Sequence, residues 1–147
     1  MDVGSRRVGV AVSDEGGAFA LPHATLDADD AITSIVTLVA DVEPEAIVVG
    51  WPLEMSGREG PAVAKVKAFL EEMVAALEEA EVSLEVVRWD ERLTTMAAES
   101  MLIERDMSRR KRKQVVDQVA ATRILQGYLD SLQDRPVSDD EGQHQQD

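Results

Sequence analysis

The chain has 147 residues, of which 44% are hydrophobic and only 3% aromatic, and its formal net charge is −14. That length supports one domain with a core of Val, Leu, Ala and Ile, and the lack of cysteine excludes disulfides and thiolate metal sites and makes a reducing, cytoplasmic setting the expectation. No secretory leader pattern opens the chain and no apolar run reaches membrane-spanning length, so neither secretion nor membrane insertion is expected.

The opening, Asp2-Val-Gly-Ser-Arg-Arg-Val-Gly-Val-Ala-Val-Ser-Asp14, reads as a short apolar strand carrying an acid, a glycine turn with two arginines, and a second strand from Val8 to Ser13. That second strand does not alternate with polar residues, which predicts burial on both faces. Gly4 and Gly9 leave room for a backbone or ligand to approach. A carboxylate beside such a turn suits a metal held against a phosphate; the plainer reading is a hairpin with a surface aspartate.

Gly16-Gly17 offers a tight turn into a third strand, Phe19–Leu26, which Pro22 marks as an edge. Asp27, Asp29 and Asp30 load the start of a helix with negative charge, where the dipole favours it. Ile32, Ile35, Val36, Val39 and Val42 then recur at helical spacing until Pro44. Ala46–Gly50 is a short apolar run typical of a buried parallel strand. A turn-rich loop, 51–60, leads to Pro61, which suits the first turn of a helix. Val63, Val66, Phe69, Leu70, Met73, Val74 and Leu77 line one stripe of that helix, with Glu71, Glu72, Glu78 and Glu79 on its solvated side.

Leu84–Trp89 reads as a further strand with Asp90-Glu91-Arg92 at its C-terminal end. Thr94 or Thr95 caps a helix through Met101 and Leu102. A last long helix runs from about Val115 to Leu132. Residues 133–147 are polar, acidic and without apolar period, which predicts a disordered tail behind a domain spanning 1–132. Three meandering strands followed by strands alternating with helices predict an α/β fold: a mixed, five-stranded sheet with helices on both faces. Sites in such sheets lie at the C-terminal ends of parallel strands, where Asp2 and Asp90/Glu91 fall.

Asp117 joins them from the last helix. It shares a stripe with Ala120, Ala121, Ile124 and Tyr128, so the carboxylate is expected in the first turn, facing inward. A buried charge needs compensation, which the helix N-terminus supplies in part and a cation would complete. The plainer role is capping. Three carboxylates from separate elements suit Mg²⁺ or Mn²⁺, hard ions that take oxygen ligands, and paired ions of this kind support phosphodiester hydrolysis. Alternation admits only one of Asp90 and Glu91 to the site; the pattern does not choose, and Glu91 is the working assignment. The candidate metal ligands are therefore Asp2, Glu91 and Asp117, with Asp90 a further candidate catalytic acid.

The acidic total argues against a nucleic-acid binder, but the positive charge is concentrated. Arg109, Arg110, Lys111, Arg112 and Lys113 hold a third of the 15 Lys and Arg, on what reads as a loop just before the helix of Asp117. Charge runs are usually solvated, yet phosphates approaching an acidic site need local cations. Arg6, Arg7, Arg58 and Arg92 complete the candidate nucleic-acid-binding set. His23 and His144 stand too far from the acids to suggest ligands, and Trp51 and Trp89 read as packing residues.

With these residues in hand, the chain resembles the YqgF (RuvX) family of RNase H-like nucleases, also described as pre-16S rRNA nucleases or Holliday junction resolvase-like proteins. The resemblance rests on the opening motif, on Ile47-Val-Val-Gly-Trp-Pro-Leu-Glu-Met, on Gly57-Arg-Glu-Gly60 and on Trp89-Asp-Glu-Arg-Leu-Thr-Thr95. Ser108-Arg-Arg-Lys-Arg-Lys, Val116-Asp-Gln-Val-Ala-Ala121 and Ile124-Leu-Gln-Gly-Tyr-Leu129 extend it, in family order, over nearly the whole chain. It implies an RNase H-like fold, a divalent-metal-dependent nuclease acting in 5′-end maturation of pre-16S rRNA, and an acidic site on Asp2, Asp90-Glu91 and Asp117.

Two departures accompany the resemblance. Only Met1 precedes the first aspartate, where the family carries several residues completing a strand. The expectation is a first strand of two or three residues with a cationic amino terminus beside the site, or a start internal to a longer protein. Trp51 and Glu54 replace the family's more usual leucine and asparagine. The alternatives are a branched-DNA resolvase, which requires a homodimer rather than a monomer, and an RNA-binding factor without cleavage. An actin-like or sugar-kinase ATPase needs a second domain for which this chain is too short.

Overall fold

The computed structural model describes residues 1–93 and 109–133, with the backbone alone over 109–115. The expected helix near 94–102 and the tail beyond Gln133 lie outside the described residues. β1 (Asp2–Val3) pairs antiparallel with β2 (Arg7–Ser13), and β2 pairs antiparallel with β3 (Ala20–Asp27). After α1 (Ala31–Val42), β4 (Ala46–Trp51) runs parallel to β5 (Glu85–Asp90), with α2 (Pro61–Glu79) as the crossover. Glu91–Leu93 form a 3₁₀ turn, and α3 spans Arg109–Gln133.

β3 is the outer strand of its sheet, and Pro22 sits opposite Ala11 beside a register shift, where a missing N–H costs the ladder least. Side chains alternate across the sheets. Val8, Val10, Ile47, Val49 and Trp51 enter one core with Ile35 and Val39 of α1 and Val63, Val66, Leu70, Met73 and Leu77 of α2. On the other face α3 lies across β2 and β3 and buries Val119, Ala121, Ile124 and Leu129. Helices therefore cover both faces, as the element order predicts. Two members of the expected apolar stripes remain open: Val42 is 46% exposed and Val74 37%.

Three expectations are corrected. The single five-stranded sheet resolves as a three-stranded sheet, β1-β2-β3, and a two-stranded sheet, β4-β5. β1 contributes only two residues to its ladder, and its link to β4 is made at Met1. The Met1 ammonium donates to the Val48 carbonyl at 2.6 Å, and the Gly50 N–H donates to the Met1 carbonyl at 3.0 Å. These bonds flank Val49, as in a parallel pair, but one residue does not make a ladder.

The last helix starts at Arg109 rather than Val115, so the basic run is helical, not a loop. Arg, Lys and Gln are good helix formers, and no glycine or proline interrupts them. Asp117 consequently lies about two turns inside the helix, beyond the reach of the terminal dipole. The acids ahead of α1 stand outside its first turn as well; the helix begins at Ala31, and Asp30 makes no side-chain cap.

Candidate active site

Two close-approach glycines gather the carboxylates. Asp2 of β1 is paired with Gly9 of β2. A Cβ on Gly9 would run into the backbone carbonyl of Asp117, so α3 rests on β2 at the point nearest Asp2. On the other flank, Gly50 bonds to Met1, and a Cβ on Gly50 would strike the Glu91 carboxylate and Ile124. Asp2 thus stands between Asp117 on one side and Glu91 on the other, at the C-terminal ends of β4 and β5.

The electrostatics agree with that arrangement. Burial raises the Asp2 carboxyl above its usual range, the Met1 ammonium draws it back, Asp117 raises it again and Arg123 lowers it. Glu91 is pushed up to about 6, first by burial and then by the Asp2 charge, with Arg123 and the amino terminus opposing. Like charges in a low-dielectric pocket disfavour each other's ionised form. The Met1 ammonium is itself lowered to about 6 by desolvation, with Asp2 and Glu91 pulling upward.

Asp90 ends β5 and Glu91 opens the 3₁₀ turn, and the two carboxylates have different surroundings. Asp90 is clamped by Arg92, whose Nε lies 3.0 and 3.1 Å from its two oxygens and whose Nη2 lies 2.7 Å from Oδ2. This pairing holds the Asp90 carboxyl below the usual carboxylate range. Arg92 also donates from Nη1 to the Met55 carbonyl at 3.3 Å, tying the strand end to the loop after β4. Glu91 turns to Asp2 instead.

Asp117 has a partner that the sequence left unassigned: Arg7 Nε donates to its Oδ2 at 2.5 Å, and both side chains are half-buried. Arg7, expected on a nucleic-acid surface, instead supplies the compensation that the helix dipole does not. Arg6 is exposed. Arg58 is exposed as well and lies 3.8 Å from Glu54 across the turn-rich loop. The side chains of Arg109, Arg110, Lys111, Arg112 and Lys113 lie outside the described residues; their backbone forms the first turns of α3. Trp51 is buried, with Arg88 stacked 4.4 Å from its ring centroid and its Nε1 donating to Glu59. Trp89 packs edge-on against Tyr128.

Arg123 is the residue that sequence reasoning missed. It lies beside the inward stripe of α3 and acts on both Asp2 and Glu91. Its only sequence signal is a cation one position before Ile124, too weak to single out.

The donor chemistry fits a divalent cation. Asp2 and Glu91 are desolvated oxygen donors, Asp2 raised by burial and then by Asp117, Glu91 by burial and then by Asp2, and a hard cation would offset that excess charge. Asp117 has one oxygen engaged by Arg7, and among the described residues no three acidic or histidine side chains form a ready cage for an ion. Binding at all three therefore requires Asp117 to bring its other oxygen or to exchange its Arg7 bond.

The fold and site define a mixed α/β protein with a cluster of carboxylates at its strand ends. Residues 1–131 match the family RuvX, described as Holliday junction resolvase, and the chain belongs to that family. It is 46% identical over 138 residues to a protein of Geobacillus sp. (strain WCH70), covering 90% of this chain and 96% of the relative. It is 44% identical over 137 residues to one of Bacillus subtilis (strain 168), covering 90% and 96%. A third relative, from Listeria monocytogenes serovar 1/2a, is 45% identical over 136 residues, covering 89% and 95%. All three bear the name "Putative pre-16S rRNA nuclease". No helix among the described residues is long and apolar enough to cross a membrane.

Proposed function

We propose that this protein is a divalent-metal-dependent nuclease that hydrolyses phosphodiester bonds in precursor 16S rRNA during 5′-end maturation. The observation that carries the reading is the meeting of Asp2, Glu91 and Asp117, from a strand, a strand end and a helix, around Gly9 and Gly50. The names of the relatives supply the substrate class. The three-stranded antiparallel and two-stranded parallel sheets, with the Met1 bonds bringing β1 beside β4, support an RNase H-like architecture.

In this reading Asp2, Glu91 and Asp117 would hold Mg²⁺ or Mn²⁺. Such ions, when bound, would supply an activated water and charge stabilisation at the leaving oxygen. Asp2 and Glu91 would offer a bound ion desolvated carboxylate oxygens. Arg7 holds Asp117 in place, and Arg123 tempers the negative field around Asp2. Asp90, held by Arg92, positions the strand end from which Glu91 projects and does not itself bind the ion. The basic start of α3, with Arg6 and Arg58, attracts the phosphate backbone without reading sequence.

The test sets labelled 16S precursor and a four-way DNA junction beside each other, with and without Mg²⁺ or Mn²⁺. Metal-dependent shortening of the RNA is expected, and binding without cleavage of either substrate would reject the enzyme reading. The family's description favours one second reading, a branched-DNA resolvase. Preferential cutting of the junction by a homodimer would establish it in place of the RNA activity.

A further inference from the structure

Between β4 and α2 the chain makes a tight turn whose backbone is held both from within and from outside. Gly57 N–H donates to Glu54 O at 2.7 Å and Glu54 N–H donates to Arg58 O at 2.9 Å, which leaves Met55 and Ser56 at the tip. Gly57 closes the turn at φ +90°, a left-handed conformation that glycine adopts without strain. The outside hold is Arg92. The guanidinium that clamps Asp90 also donates from Nη1 to the Met55 carbonyl at 3.3 Å. A Cβ on Gly57 would lie 3.7 Å from the same nitrogen, so the turn rests on Arg92. The turn is thereby tied to the end of β5, next to Glu91.

The side chains of the turn go separate ways. Glu54 folds back over Gly60, where an added Cβ would strike its carboxylate. Met55 points away from the fold; at 89% it is the most exposed large apolar side chain among the described residues. The Arg58 side chain is 80% exposed, and its 3.8 Å approach to Glu54 is a surface pair of little strength. A fixed backbone thus presents one flexible thioether and one cation beside the carboxylates.

We propose that this turn seats an unpaired nucleotide of the RNA, with Met55 packed on the base and Arg58 against the adjoining phosphate, a reading that rests on the nucleic-acid function above. Single-stranded RNA offers unstacked bases that protein side chains can reach. A thioether is polarizable and packs well on an aromatic ring, and every base has such a face, so the contact tolerates any sequence. Methionine is among the apolar side chains that proteins insert between base steps. In a duplex the base faces are stacked and closed to Met55, whereas the phosphates stay open to Arg58. The seat therefore selects an unpaired segment next to the carboxylates. A protein partner fits less well. Stable interfaces bury about 800 Å² on each side, and Met55 is flanked on the turn by Glu54, Ser56 and Gly57.

The test measures binding of a short single-stranded RNA and of a blunt duplex of the same sequence, in EDTA, where metal-dependent cleavage does not proceed. Met55→Ser should weaken binding of the single strand about two- to tenfold and leave the duplex unchanged, while Met55→Leu keeps the single-strand affinity. Arg58→Gln should weaken both RNAs alike and reduce the salt slope by about one. Because Met55 is exposed, its variants should melt with the parent. Equal single-strand affinity for the parent and Met55→Ser would overturn the proposal and leave the nuclease reading standing. An equal loss on single strand and duplex would overturn it too, since the contact would then not be to an open base. A parent that binds neither RNA would reject it together with the nucleic-acid reading and would leave the apolar tip to a protein partner.

Discussion

Asp2 and Glu91 are oxygen donors held in a desolvated pocket, and their interaction makes the site costly without a cation. Asp2→Asn and Glu91→Gln should each reduce metal-dependent cleavage by more than about 100-fold, since even outer-shell partners of metal ligands are worth 10–100-fold. RNA binding in a filter or gel-shift assay should persist. Undiminished cleavage in either variant would remove that residue from the site. The pH dependence has a definite sign. Glu91 is pushed from 4.5 up to about 6, so the folded state binds its proton more tightly than the unfolded chain does. The stabilisation from that group is complete below pH 4.5 and is lost as pH rises through 6. In EDTA, the difference in thermal midpoint between the parent and Glu91→Gln should change across that window. Cation affinity should move the opposite way, increasing over the same window as the carboxylate ionises; calorimetric titration with Mn²⁺ at pH 5 and pH 7 checks it.

Among the elements, α3 does two things with one face. Its C-terminal half packs Ala121, Ile124 and Leu129 against the sheets, and its N-terminal half carries Asp117 over Gly9. Gly9→Ala would force the backbone of α3 off β2, an overpacking that costs about 1–3 kcal/mol. It should also depress cleavage more than core truncations of similar cost, because it moves Asp117 away from Asp2. Denaturant melts and cleavage rates of Gly9→Ala, compared with a core variant such as Met73→Ala, separate these effects. The basic run at the start of the same helix makes a different prediction. Neutralising Arg109–Lys113 should weaken binding to all RNA sequences alike and reduce the salt slope by about one for each phosphate no longer neutralised. A sequence-selective loss would assign base reading to those residues.

At the scale of the whole molecule, a net charge of −14 is held together around a pocket of carboxylates. A divalent ion that binds only the folded state should therefore stabilise it. At 100 times its dissociation constant the gain is about 2.7 kcal/mol, read as a rise in thermal midpoint from EDTA to Mg²⁺ or Mn²⁺ that disappears in Asp2→Asn. No rise in the parent would argue against cation binding at these carboxylates. The seam between the two sheets is the other whole-molecule feature. Two bonds at Met1 join β1 to β4 there, and Val8, Val10, Ile47 and Val49 share one core across it.

Local pattern alone determined the mixed α/β class, the α1 and α2 stripes, the edge position marked by Pro22, and Asp2, the Asp90-Glu91 pair and Asp117 as candidate acids. These follow from hydrophobic period, from proline's missing donor and from carboxylates placed where apolar stripes meet strand ends. Tertiary structure decided the rest. Nothing in the local sequence says that Arg7 reaches across 110 positions to Asp117, that Arg92 claims Asp90 and leaves Glu91 to the pocket, or that Arg123 acts on both buried acids. Helix-forming basic residues carried α3 back to Arg109, which took Asp117 out of reach of the helix dipole and made an ion pair its compensation. Strand pairing is non-local, so the division into two sheets was not legible until the strands were set side by side.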